Sequence, residues 1–128
     1  MNSSISAPKS GEGSNAWLIK IFTGILIIII LGIHFVVNHT LGSRGGLLTY
    51  EGIVQYYANN PIIPIMEILF VAFVVTHALL GLRSIILDLK PSEKTLKTIN
   101  RVFVIVGAAF ILYGIGLIAV IVYRGMQL

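Results

Sequence analysis

Three stretches of the chain carry almost unbroken apolar residues: roughly 17–40, 62–87 and 102–123. Each is long enough to cross a bilayer as a helix, which takes about 20 residues. The first opens on Trp17, an aromatic suited to the membrane interface, and runs through Ile25-Leu26-Ile27-Ile28-Ile29-Ile30. The pieces between are short and polar. Residues 1–15, rich in Ser and Gly, read as a mobile tail. The apolar run that follows is too long for a signal peptide and ends without a small-residue cleavage site. Gly42, Gly45 and Gly46 are expected to break the first span. Beyond them, Leu47 to Asn60, with Tyr50, Ile53, Val54, Tyr56 and Tyr57, predicts a short interfacial helix stopped at Asn59-Asn60-Pro61. Pro61 or Pro64 then falls in the first turn of span two, where proline is tolerated. Lys90-Pro91-Ser92-Glu93 predicts a tight turn, and Gly107, Gly114 and Gly116 predict close packing of span three. The pattern predicts an all-α membrane protein of three transmembrane helices, with residues 16–128 forming one membrane unit.

Composition agrees: 56% of the 128 residues are hydrophobic and 11% charged, with a mean hydropathy of +0.94. That leaves no room for a separate soluble domain. The net charge of +4 would suggest nucleic acid in a soluble protein. Here it is explained by topology. Lys9 and Lys20 precede or open span one, and Arg83, Lys90, Lys94, Lys97 and Arg101 cluster around the turn between spans two and three, against Arg44 and Arg124 on the other side. The positive-inside bias predicts a cytoplasmic N-terminus and second turn, with the first loop and C-terminus outside. With no transit-peptide character, the simplest compartment is a prokaryotic plasma membrane.

The chain has no cysteine, which excludes disulfides, thiolate-held iron–sulfur clusters and cysteine nucleophiles. Its three histidines are the informative residues. An imidazole within a membrane span is costly and usually functional, and neutral imidazole is the usual axial ligand of heme b. His77 lies about 9 Å from the cytoplasmic boundary and His34 about 20 Å, at the helical rise. Two ligands of one iron must lie within about 4–5 Å of each other. The offset therefore predicts two hemes stacked across the membrane, each taking one ligand from this chain and one from a partner.

Around His77, Gly81 lies one turn on, where a flat macrocycle can approach, and Ser84 and Asp88 continue that face. Arg83 is either a contact for a heme propionate or a snorkelling positive anchor, and Asp88 is either a site residue or a helix-end charge. His39, nearer the outer interface, is the weaker ligand candidate, better suited to supporting a propionate or quinone. Glu67 at the same depth either handles protons for a quinone or faces water.

His77-x-x-x-Gly81-Leu82-Arg83-x-x-x-x-Asp88, followed by a basic turn and a glycine-bearing third span, resembles the membrane-anchor cytochrome b subunits of succinate dehydrogenase and fumarate reductase. The resemblance runs from Trp17 onward, and it implies that His77 is an axial heme ligand. Ile33-His34-Phe35-Val36-Val37-Asn38-His39 resembles the first-span motif of the two-heme members, implying that His34 serves the distal heme. Leu89 stands where one branch of the family has a quinone-contacting tyrosine, so that contact does not carry over. The resemblance implies a second membrane-anchor subunit, an iron–sulfur subunit, a flavoprotein subunit, membrane lipid and membrane quinone as partners, with electrons passing from the iron–sulfur subunit to quinone. The chain's length favours a paired anchor over a fused one. The alternatives are a heme b anchor of another dehydrogenase, a heme-free small transporter or proton-conducting subunit using His34, His39 and Glu67, and a structural assembly subunit.

Overall fold

The computed structural model describes residues 13–41 and 49–128. The tail expected over residues 1–15 lies outside these up to Glu12, as do Arg44, the glycines of the first loop and the start of the interfacial segment. Helix α1 spans Ser14–Phe35, α2 Tyr50–Asn59, α3 Ile62–Asp88 and α4 Glu93–Gly125. Three of them, α1, α3 and α4, are long and apolar enough to cross a membrane. Helix is what such sequences must form in lipid, because every backbone N–H and C=O has to be satisfied within the segment. That requirement overrides the modest helix propensity of the many Ile and Val residues.

The ends follow local chemistry. Thr49 caps α2, its side chain accepting from the Gly52 amide. Pro61 sits at the N-cap of α3 and Pro64 in its first turn, where the missing N–H has no intrahelical partner to lose. Helix α3 ends where Lys90 turns to φ 51, with its amide donating to the Leu87 carbonyl at 3.0 Å. Ser92 then caps α4 by accepting from the Thr95 amide. That cap starts the helix at Glu93, nine residues before the apolar stretch read as span three; the first turns are polar.

Helix α3 is the middle of a row, packed antiparallel against α1 on one side and α4 on the other, while α2 lies against the far end of α4. The chain has hardly any core: Val54, Ile63 and Ile118 are its buried apolar residues among those described. Ile28 is 74% exposed and Val104 72%, as expected of surfaces that meet lipid tails or another subunit. Packing between the helices depends on close approach instead. A Cβ on Gly107 would lie 2.8 Å from Leu79 Cδ1, and one on Gly114 would lie 2.9 Å from Val71 Cγ1. Gly116 differs from the expectation, since a Cβ there would meet nothing within 4 Å. Gly125, which carries no weight in the sequence pattern, is where α2 seats: a Cβ there would collide with the Val54 carbonyl and Ala58.

Helix α2 is tied to α3 by Tyr57. Burial, followed by the negative charge and then the hydrogen bond of Glu67, pushes its phenol from 10.0 up to about 12.

Two expectations follow. Gly114→Ala and Gly116→Ala gain the same helix propensity, so their difference isolates packing; Gly114→Ala should be less stable than Gly116→Ala by about 1–3 kcal/mol, read as thermal melting of the purified complex. Tyr57 stays protonated in the folded protein up to about 12, whereas the unfolded chain releases that proton from 10.0. The stability it contributes is therefore whole below pH 10 and is lost as pH rises from 10 to 12. A tyrosinate absorbance titration should lose its latest phase in Tyr57→Phe.

Candidate functional site: two histidine clamps between α1 and α3

His77 projects from α3 onto the first half of α1. Its Nδ1 lies 3.0 Å from the Lys20 carbonyl oxygen and 3.3 Å from Thr23 Oγ1. A carbonyl only accepts, so Nδ1 carries the proton and Nε2 keeps its lone pair. Thr23 is itself fixed, since its hydroxyl lies 2.7 Å from the Ile19 carbonyl and 3.1 Å from that of Lys20. Gly24 makes room for the ring: a Cβ there would stand 3.0 Å from His77 Cε1. Next to the imidazole, Gly24, Ile25 and Ile28 line an apolar groove of about 530 Å³.

The other residues singled out around His77 divide by face. Gly81 has nothing within 4 Å of where its Cβ would stand, so the side of α3 one turn from His77 is open. Ser84 accepts from Lys20 Nζ at 2.8 Å and donates to the Leu80 carbonyl at 3.0 Å, joining the same α1–α3 seam. Asp88 is exposed at the end of α3. Arg83 is turned away from this seam. Its Nε donates to Asn100 Oδ1 of α4 at 2.8 Å, on the flank of α3 opposite His77.

The second cluster lies at the other end of the α1–α3 pair. His34 Nδ1 and Glu67 Oε1 are 2.6 Å apart, and Glu67 is only 7% exposed, so it does not face water. The His34 ring stacks on Phe70 at 5.4 Å between centroids. His39 approaches edge-on at 6.2 Å. In a regular α-helix residues five apart are turned by about 140°; here Val36–Leu41 is π-helical, and i→i+5 bonding brings such residues back toward one face. Tyr57 of α2 reaches Glu67 from the third side.

From Thr23 to His34 along α1 is eleven residues, or about 16 Å, and from Glu67 to His77 along α3 ten residues, or about 15 Å. The two clusters are thus further apart than span-boundary counting suggests. Among the described residues no three His, Cys, Asp or Glu side chains gather in a way that could hold a metal ion; the first cluster offers the His77 imidazole, the second those of His34 and His39. Thr23, Gly24, Phe70 and Tyr57 are the site residues that sequence reasoning missed. Thr23-Gly24 inside a run of branched apolar residues was the available signal.

Residues 2–122 match the family described as succinate dehydrogenase/fumarate reductase transmembrane subunit. A succinate dehydrogenase hydrophobic membrane anchor subunit from Archaeoglobus fulgidus is 36% identical over 73 residues, covering 57% of this chain and 60% of that relative. No solved structure matches. With the match extending over nearly the whole chain and through all three apolar helices, the protein belongs to the succinate dehydrogenase/fumarate reductase transmembrane subunit family.

Proposed function

We propose that this chain is a heme b-binding anchor that supplies one axial histidine to each of two hemes, with a second anchor subunit supplying the opposing ligands. One observation carries the reading: both His77 and His34 have Nδ1 engaged by their own chain. That arrangement fixes the ring and sets the tautomer, as partners to metal-bound histidines regularly do, so that Nε2 would be the metal-ligating nitrogen. A carbonyl behind His77 and a carboxylate behind His34 also make the two imidazoles unequal in basicity.

The residues fit the group. At His77, Gly81 leaves one helix face clear for a flat macrocycle while Gly24 makes room for the imidazole itself, and the groove beside the ring is lined mainly by apolar residues. At His34, Phe70 braces the ring and Glu67 orients it. When bound, heme b supplies one-electron chemistry. The chain's own part is to hold each imidazole at its depth, keep water from it, and set its electron-donating strength through the group on Nδ1. With the basic turn cytoplasmic, the His77 heme would lie nearer the iron–sulfur and flavoprotein subunits of a succinate:quinone oxidoreductase in a prokaryotic plasma membrane. Electrons would leave to membrane quinone, and His39 would support the His34 heme or a quinone beside it.

A heme-free proton-conducting reading has one observation in its favour, the linked series His39, His34, Glu67 and Tyr57. Heme content separates the two. A pyridine hemochrome assay on the purified complex should give two b hemes and one in each of His34→Ala and His77→Ala, and a redox titration should show a different potential missing from each variant. Glu67→Gln should leave both hemes in place while raising the potential of the His34 heme, because a neutral amide donates less electron density through the ring than a carboxylate. Absence of heme from the parent complex, or full retention in both alanine variants, would exclude the assignment.

A further inference from the structure

Arg83 is the residue whose environment the two histidine clamps leave unexplained. Its Nε is used by Asn100, but its Nη1 is buried with no hydrogen-bond partner among the described residues. A guanidinium is always charged and cannot shed its proton to relieve the burial, so a buried, unsatisfied N–H on it marks a missing acceptor. The arginine stands at one end of a groove of about 400 Å³ between α3 and α4. Val75, Leu79, Phe103 and Ile111 line most of the rest of that groove, with Thr76 the polar side chain among them. From Arg83 to Val75 is eight residues of α3, a channel of about 12 Å, and it is open sideways, with Val104 on its rim 72% exposed.

Charge points the same way. Lys97 lies one turn before Asn100 on the groove-facing side of α4, and Arg101 is adjacent; both are exposed. Asp88, five residues beyond Arg83, falls on another face of α3. One end of the groove therefore carries clustered positive charge close to the membrane edge, and the other is a hydrocarbon slot. We propose that this groove binds an anionic phospholipid, its phosphate accepting from Arg83 Nη1 near Lys97 and one acyl chain lying along α3 and α4. Guanidinium matches phosphate oxygens in geometry as well as charge, and basic sites between membrane helices at the head-group level select acidic head groups over zwitterionic ones. The site faces away from the α1–α3 seam, so it does not depend on heme at His77 or His34.

The test uses the purified complex in detergent, delipidated and titrated with dioleoyl phosphatidylglycerol or dioleoyl phosphatidylcholine and read by native mass spectrometry. The parent should retain one phosphatidylglycerol roughly five- to tenfold more tightly than phosphatidylcholine, as expected for basic side chains at the head-group level. Arg83→Gln should abolish that preference. Ala108→Phe, which fills the groove from an exposed position on α4 without touching the charge, should weaken retention of both lipids, and heme and extractable quinone should be unchanged in it. If Arg83→Gln does not assemble, Ala108→Phe alone decides. Equal retention of the two lipids by the parent, or unaltered phosphatidylglycerol binding in Ala108→Phe, overturns the proposal. So does loss of heme or quinone from Arg83→Gln with lipid retention intact, which would assign the guanidinium to a propionate or a quinone head group.

Discussion

Helices α1 and α3 have no hydrophobic reason to stay together, since lipid tails would cover their Ile, Leu and Val side chains equally well. What pairs them is the need to satisfy polar groups far from water. The His77 imidazole finds the Lys20 carbonyl and the Thr23 hydroxyl across the helix seam, and the Glu67 carboxylate finds His34. An unmet donor or acceptor in hydrocarbon costs several kcal/mol, whereas an interhelical hydrogen bond in a membrane contributes only about 0.6–2 kcal/mol. The asymmetry matters: the pairing is held less by what the contacts contribute than by what separating them would expose. Two such clamps near opposite ends of the seam also fix register and rotation, which a single contact could not.

The fold was legible because it rests on length and apolarity alone. Three runs of sufficient length had to become helices once the solvent was lipid, and Pro61, Pro64 and Ser92 marked two starts. The polar first turns of α4 were not visible in a hydropathy pattern, which reports what meets the bilayer and not where hydrogen bonding begins. Glycine was read only in part. Gly107 and Gly114 face α3 while Gly116 faces away, a distinction set by the rotation of α4 and absent from spacing alone. Gly125 has meaning only once α2 folds back onto the end of α4.

The histidines could be picked out as residues but not with their surroundings. Placing an imidazole in a span says that it needs partners; it does not say that one is a backbone carbonyl, which every residue has. Lys20 read as a boundary charge, yet its main-chain oxygen holds His77 while its ammonium reaches Ser84. Glu67 could equally have been an acid facing water; its burial depends on Tyr57 arriving from α2, a contact that spans a loop. His34 and His39, five apart, would be poorly aligned on a regular helix, and their approach depends on the local widening over Val36–Leu41. Arg83 shows the same limit from the other direction. Its sequence neighbours group it with His77, but about 100° of rotation per residue carries it to the α4 side.

Each clamp uses a ring Nδ1 to join two helices of this chain. That pairing explains how so nearly coreless a chain holds the two imidazoles in place. The imidazoles are oriented by contacts across the α1–α3 seam, so on the proposed reading a second subunit would have only to bring its own ligand to a geometry already set. It also explains why the exposed apolar faces are tolerable. They need not hold the helices together, because lipid tails cover them equally well, and the polar seam keeps the helices in register. The same reasoning separates Arg83 from the clamps. Its Nε is spent holding α4 through Asn100, and its buried Nη1 has no acceptor among the described residues.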